Sequence, residues 1–205
     1  NCTTIPLVVA LNPLHQKFGL KEIFLATYQS VSGAGRAGLE QLNYESEFFC
    51  LQQPPDTAGS PFPVQIVANV IPWIGEGEGM GISGEEKKTV LETRKILSLS
   101  ELKINSTCVR VPVTVGHGLA VTCRFEKTVD LKKAQSALKE APGVILKDGG
   151  EPLTPLSCRN KNDVFVSRLR KGATEYDLSL WIVADNLRKG AATNALQIAE
   201  LLFPV

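Results

Sequence analysis

From Thr3 to Leu14 the apolar residues Ile5, Val8, Val9 and Leu11 fall nearly all round a helical projection. They predict a buried helix with Pro6 in its first turn, where a missing N–H leaves nothing unpaired. Ile23 to Ser30 reads as a strand, followed by the turn-rich Ser32-Gly33-Ala34-Gly35, and Arg36 to Phe49 returns to a helical period. Residues 52 to 82 are dense in proline and glycine, from Gln52-Gln53-Pro54-Pro55 to Gly75-Glu76-Gly77-Glu78-Gly79. They predict a long irregular excursion at the surface or at a subunit contact. Ser83 or Gly84 opens a helix through about Leu97, with Glu85 and Glu86 favourably placed in its first turn.

The clearest period in the chain lies between Val109 and Phe125. Val109, Val111, Val113 and Val115 alternate with Arg110, Pro112 and Thr114, and Leu119, Val121, Cys123 and Phe125 resume the pattern after Gly116-His117-Gly118. Asp130 to Ala141 is an amphipathic helix ended by Pro142-Gly143. A strand pair follows, Val164 to Leu169 and Tyr176 to Ala184, and Gly190 to Phe203 reads as a helix with little polar face. Strands and helices interleave without strict alternation, which predicts an α+β fold: a mixed, largely antiparallel sheet with helices on one face.

Composition narrows the function classes. The 205 residues are 43% apolar and 21% charged, and 22 basic against 21 acidic residues leave a net charge of +1. That balance gives no electrostatic case for nucleic acid or an acidic membrane surface. No apolar stretch reaches the ~18 residues of a membrane span, so a soluble protein with no membrane partner is expected. The five cysteines, Cys2, Cys50, Cys108, Cys123 and Cys158, are odd in number and irregular in spacing. They suit neither a disulfide framework nor a zinc site, and with only His15 and His117 beside them no metal is expected, in a reducing compartment.

A few residues stand out chemically. Cys2 directly precedes a helix, whose dipole and free N–H groups favour a thiolate and a lowered thiol pKa, with Thr3 and Thr4 as capping hydroxyls. A buried structural cysteine is the alternative. His117 sits between two glycines, as a solvated turn residue or as a ring re-aimed into a cleft. Strict alternation would put it and Arg110 on opposite faces, and the glycine break can bring them together. Arg110 has the fork suited to a carboxylate. Ser30-Val31-Ser32-Gly33-Ala34-Gly35 resembles an anion- or nucleotide-contacting loop, but is not G-x-G-x-x-G and by itself is a flexible turn. Glu85 and Lys88 are neighbours on one helix face, a plain solvated pair when seen in isolation.

Taken in order, these segments resemble the catalytic portion of the aspartate-β-semialdehyde dehydrogenases. Asn1-Cys2-Thr3-Thr4-Ile5 resembles that family's nucleophile motif, and Tyr28-Gln29-Ser30-Val31-Ser32-Gly33 its Tyr-Gln-x-x-Ser-Gly loop. Ser83-Gly84-Glu85-Glu86-Lys87-Lys88 resembles its Glu-Glu-x-Lys helix, and Arg110 to Gly118 its Arg-x-Pro-x-x-x-Gly-His block. Asp185-Asn186-Leu187-Arg188-Lys189-Gly190 resembles the segment before its last helix. The resemblance implies a fold like the C-terminal domain of glyceraldehyde-3-phosphate dehydrogenase. It also implies NADPH-dependent reduction of L-aspartyl-4-phosphate to L-aspartate 4-semialdehyde, with release of phosphate, in lysine, threonine, methionine and bacterial diaminopimelate biosynthesis. Cys2 would be the nucleophile, His117 the general acid/base titrating near neutrality, and Gln29 the residue orienting the acyl-enzyme. Arg110 would bind the substrate α-carboxylate and Glu85 its amino group, while Lys88 and Asn1 would meet the phosphate. Ser32, Gly33 and Asn186 would contact NADP.

The family's Gly-rich nucleotide-binding domain is missing from these 205 residues, and the chain begins one residue before its expected nucleophile. The expectation is therefore a catalytic and dimerisation unit over 1–184 and a C-terminal helix over 185–205 packing on that other domain. It is expected to show no turnover alone, to assemble as a homodimer or homotetramer, and to reside in the cytoplasm or a plastid stroma. Two rivals remain: another Cys/His acyl-phosphate reductase, of the N-acetylglutamyl-phosphate or glyceraldehyde-3-phosphate type, and a non-catalytic dimerisation domain.

Overall fold

Alternating burial along the strands decides how the sheet lies. The computed structural model describes residues 1–77 and 79–203; Glu78 of the glycine-rich stretch and the last two residues of the 185–205 segment lie outside the described residues. Its sheet has six strands: β1 (Leu20–Gln29), β2 (Lys103–Arg110), β3 (His117–Phe125), β4 (Val144–Lys147), β5 (Val164–Lys171) and β6 (Asp177–Ala184), in the order β2-β1-β3-β6-β5-β4. The β1–β3, β3–β6 and β5–β6 ladders are antiparallel; β1–β2 and β4–β5 are parallel. The expected mixed, largely antiparallel sheet is thus present.

Ile23 and Leu25 of β1, Leu119, Val121 and Cys123 of β3, and Leu178, Leu180 and Ile182 of β6 share one buried face. Against it pack α1 (Thr4–Phe18) and α4 (Leu131–Glu140), with α3 (Gly84–Leu97) beside α1. In α1, Leu7, Ala10, Leu11 and Leu14 are fully buried, and the helix runs a turn beyond the sequence expectation, through Pro13. The opposite sheet face stays open, with Phe24 45% and Tyr28 40% exposed and the Tyr28 and Trp181 rings 5.6 Å apart.

Two sequence expectations need correction, and the strand β4 is an addition to them. The alternating run from Val109 to Val115 is not one strand: β2 ends at Arg110. Pro112 has no N–H to give a ladder, Val111 N–H bonds to Gln29 O, and the carbonyls of Val113 and Thr114 receive the N–H groups of Val31 and Ser32. The segment therefore braces the turn after β1. The short edge strand β4 was hidden behind Pro142-Gly143. The last helix is broken into a π-turn over Arg188–Ala192, with Gly190 N–H bonded to Asp185 O five residues back, and α5 (Thr193–Leu202). Residues of α5 such as Leu196 and Leu201 are exposed.

The irregular 52–82 stretch is present as expected and follows α2 (Gly35–Cys50). A fully buried carboxylate holds it: Glu45 Oε2 accepts the N–H groups of Ile66 and Val67 at 2.7 and 2.8 Å, and its Oε1 accepts from Gln41. Ile66, Val67 and Ile71 pack with Val31 and Leu42 in a small second core. Glu45→Ala orphans two buried N–H donors and should destabilise the fold by about 2–3 kcal/mol. Urea unfolding would read that loss, and limited proteolysis should show cleavage between residues 51 and 82 first; an unchanged midpoint and cleavage pattern would remove Glu45 as the anchor.

Candidate active site

Gln29 and Arg110 end the parallel pair β1 and β2, and they are opposite each other in register. Both are on the buried face, 1% and 6% exposed. β3 begins at His117, which is paired with Ala184 at the end of β6, so the ring enters the same end of the sheet. The turn leading into α1 brings Cys2 there and the first turn of α3 brings Glu85. Arg110 and His117 therefore do share a face: they lie on different strands, so the parity of their separation along one strand does not apply.

The central contact joins residues 115 positions apart. Cys2 Sγ lies 3.3 Å from His117 Nε2. Around it runs a chain of amides and a carboxylate. Glu85 Oε1 accepts from Asn1 Nδ2 at 2.9 Å and from Gln29 Nε2 at 3.1 Å, and Gln29 Oε1 accepts from Thr27 Oγ1 at 2.9 Å. Thr27 fixes which end of the Gln29 amide faces Glu85. Arg110 Nη1 donates to Ser30 O at 2.7 Å. A Cβ on Gly33 would stand 2.6 Å from that Nη1, so the guanidinium can lie there only over a residue without a side chain. Gly190 packs closely on Cys2: an added Cβ would stand 3.1 Å from the cysteine Cβ, a tight contact.

The electrostatics depart from the sequence expectation. Burial, followed by the Glu85 charge, pushes the Cys2 thiol up, with Arg110 opposing. The N–H groups expected to lower it are taken: Asn1 Oδ1 accepts from Thr3 and Thr4 at 2.8 and 2.9 Å. Asn1 is thus the capping residue, and the Thr3 and Thr4 hydroxyls are buried without a partner among the described residues. His117 is fully buried, and desolvation reinforced by Arg110 pulls it down to about 3, far from the neutral range expected. Desolvation likewise lowers Arg110, with Cys2 and Glu85 pulling it back. The resting pair is a neutral thiol and a neutral imidazole.

The remaining expected residues are placed as follows. Ser32 and Asn186 are buried and bonded to each other, Asn186 Nδ2 to Ser32 Oγ at 3.0 Å. Lys88 is exposed and not paired with Glu85 among the described residues. Cys108, Cys123 and Cys158 are buried in the core and Cys50 is exposed on α2. No cluster of His, Cys, Asp or Glu among the described residues suits a metal ion. Sequence reading passed over Ser30, which bonds His117, and Gly190; a buried serine directly after a strand was the available signal for the first.

Comparison with known proteins follows this geometry. A family model described as semialdehyde dehydrogenase, dimerisation domain, matches residues 11–189. The chain is 44% identical to the aspartate-semialdehyde dehydrogenase of Aquifex aeolicus over 206 residues, covering 98% of this chain and 60% of that protein. It superposes with a TM-score of 0.94 and 40% identity on aspartate semialdehyde dehydrogenase II of Vibrio cholerae complexed with ASA, covering 98% of this chain and 60% of the other. Aspartate semialdehyde dehydrogenase with NADP from Candida albicans matches at 25% identity and a TM-score of 0.71, over 98% and 56% of the two chains. The chain thus spans about 60% of the length of the curated relatives it matches. No described helix is long and apolar enough to cross a membrane.

The buried ring carries a pH dependence of stability. His117 titrates at about 3 when folded and near its ordinary 6.5 when unfolded. Between those values the unfolded chain binds the extra proton, so stability rises with pH across the window and is lost as pH falls through it. Going from about pH 7 to about pH 4 should draw roughly 2–3 kcal/mol through this one ring. Urea titrations of His117→Asn should show a correspondingly shallower acid loss; equal losses in both proteins would mean that the ring is not held neutral.

Proposed function

The chain belongs to the semialdehyde dehydrogenase dimerisation-domain family, and from that premise we propose that it is the catalytic portion of an NADP-dependent aspartate-semialdehyde dehydrogenase. The observation that carries this reading is the 3.3 Å contact of Cys2 with His117, with Glu85 and Arg110 acting on the thiol from opposite signs. L-Aspartyl-4-phosphate has a free ammonium for Glu85 and an α-carboxylate for the fork of Arg110. An N-acetylated substrate would leave the buried Glu85 without a cation, which disfavours the N-acetylglutamyl-phosphate alternative.

Glu85 is the larger of these two side-chain influences on the thiol, and it raises the pKa. Pairing it with the substrate ammonium removes that rise, so binding itself favours the thiolate. The thiolate attacks the acyl carbon and phosphate leaves, giving a thioester on Cys2. Gln29, held by Thr27 and Glu85, orients that thioester, and His117 presents Nε2 to the sulfur and to the oxygen that gains charge. Lys88 lends the phosphate a mobile positive charge. Asn1, already committed to Glu85 and to the helix cap, acts on the phosphate only at second hand.

NADP would meet this chain at its reacting end alone, beside Cys2, with Gly33, Ser32 and Asn186 as the positions the family resemblance assigns to it. When bound, the nicotinamide supplies the hydride that reduces the thioester. The rest of the cofactor belongs to a nucleotide-binding domain, on which the apolar residues of α5 would pack. Lysine, threonine and methionine biosynthesis in the cytoplasm is the setting this reaction implies. A homodimer formed across the open sheet face, with Phe24, Tyr28 and Trp181 at its centre, suits the family's dimerisation role.

In the whole polypeptide, Cys2→Ala should lower turnover of aspartate semialdehyde, phosphate and NADP by about 10³-fold or more. Arg110→Lys should weaken substrate binding by about 10- to 100-fold, and Cys50→Ala and Cys158→Ala should be neutral. Steady-state kinetics reads all four; reduction of the N-acetylglutamyl compound with none of aspartyl phosphate would overturn the assignment. Phe24→Asp should convert a dimer to monomers by sedimentation, and a dimer that survives it would place the contact elsewhere.

A further inference from the structure

Glu86, the neighbour of Glu85 in the first turn of α3, makes two bonds, of which a helix cap needs only one. Its Oε2 accepts the N–H of Ser83 at 2.8 Å, the bond that closes the helix start. Its Oε1 accepts the N–H of Cys108 at 3.0 Å, from a strand 22 residues further along the chain. β2 is an edge strand, and its ladder to β1 leaves every second N–H facing away from the sheet. Two of these outward groups stand nearest the active site. Cys108 gives its N–H to Glu86, and Arg110 gives its own to Ile71 O at 2.8 Å. The edge beside the site is therefore closed once by a side chain and once by backbone.

The bond to Cys108 has a geometric consequence. Cys108 and Arg110 alternate with Val109, so both side chains enter the same buried face of β2, 0% and 6% exposed. Glu85 and Glu86 are adjacent in one helix turn. The Glu85 carboxylate is thus joined to the Arg110 guanidinium by a short, stiff route: a helix turn, one hydrogen bond and one pleat of strand. Arg94 Nε, bonded to Leu102 O at 2.8 Å, ties the far end of α3 to the chain entering β2. The other bonds at the near end run to the irregular 52–82 stretch, from Gly84 N–H to Glu76 O and from Glu85 N–H to Ile74 O. Glu86 is what fastens the start of α3 to the backbone of β2. A carboxylate suits that place, because both donors are backbone N–H groups and it has an accepting oxygen for each. A glutamine would offer one oxygen and turn its NH₂ toward the other N–H.

We propose that Glu86 is a positioning residue that sets the separation of Glu85 from Arg110, and with it the selectivity for a substrate carrying both an ammonium and a carboxylate. This rests on the reaction proposed above and concerns how its substrate is chosen. Glu86 touches no reacting atom. Its two bonds hold the ammonium-binding carboxylate at a fixed reach from the carboxylate-binding guanidinium. An α-amino-acid head group then engages both, and a simple carboxylate engages one.

Steady-state kinetics of the whole polypeptide with aspartate semialdehyde and with succinic semialdehyde tests this. The second compound has the same aldehyde and carboxylate but no amino group. The unchanged enzyme should prefer aspartate semialdehyde by about 10³-fold or more in kcat/KM. Glu86→Gln should cut that preference about tenfold, through a raised KM for aspartate semialdehyde with kcat altered less than about threefold. Succinic semialdehyde should be nearly unaffected. A merely structural role would lower both substrates together, so an unchanged preference or an equal loss on both overturns the proposal. Should the glutamine variant fail to fold, Glu86→Asp gives the reading. Aspartate keeps an acid for the helix cap but is one methylene too short to span both donors, so the preference should fall in the same way. Hydrogen exchange over the peptide containing Cys108, followed by mass spectrometry, should quicken about tenfold in either variant, and unaltered protection would remove the tie. An unchanged enzyme with no preference would overturn the substrate reading and this role of Glu86 together. A preference present there and retained in both variants would overturn Glu86 alone.

Discussion

An imidazole buried with both nitrogens engaged has almost no freedom, and the architecture around His117 follows from that constraint. Its Nδ1 needs a donor, supplied by the first residue after β1, and its Nε2 must reach a sulfur at the start of α1. Both are met only if β3 begins beside the end of β1, as their antiparallel register provides, and if α1 lies across the buried face of the sheet. The run from Val111 to Gly116 serves the same end. Its carbonyls hold the Ser30–Gly33 turn in place, where a continued strand would have taken them into a ladder and left that turn unbraced.

The charges are arranged around this neutral pair with opposite effects. Glu85 and Arg110 are both nearly buried, and each is answered by hydrogen bonds from within the chain: amides for the carboxylate, a carbonyl for the guanidinium. They do not neutralise one another in a direct salt bridge, and each keeps bonding capacity for a ligand of opposite sign. A zwitterionic amino-acid group would meet both at once. Burial leaves these interactions weakly screened, so neutralising Glu85 is felt at Cys2.

The five helices and most strands were legible because each shows its own period, and the capping of α3 shows in Ser83 with Glu86, whose carboxylate accepts the Ser83 N–H at 2.8 Å. The sheet order was not, since pairing is settled by which faces bury together and not by any one strand. Cys2, Gln29, Glu85, Arg110 and His117 were each singled out, and the structure brings all five together. The expected titration of Cys2 and His117 differs from the structure for one reason: a helix start and a histidine between glycines look solvated in a sequence, whereas here His117 is buried, Cys2 is partly so, and the two are in contact. The Val109–Val115 run misled similarly, because alternation signals an extended chain and is silent about whether another strand lies beside it.

Positions without side chains complete the site. Gly33 lets Arg110 lie over the turn, and Gly190 lets the chain after β6 close on Cys2. Gly190 lies in the π-turn, where five-residue bonds from Gly190 to Asp185 and from Ala192 to Leu187 widen the coil. Asp185 secures the turn by accepting the N–H groups of Leu187, Arg188 and Asn160, and its neighbour Asn186 accepts from Gly116. One short segment therefore lies against Cys2 and also supports the backbone just before His117.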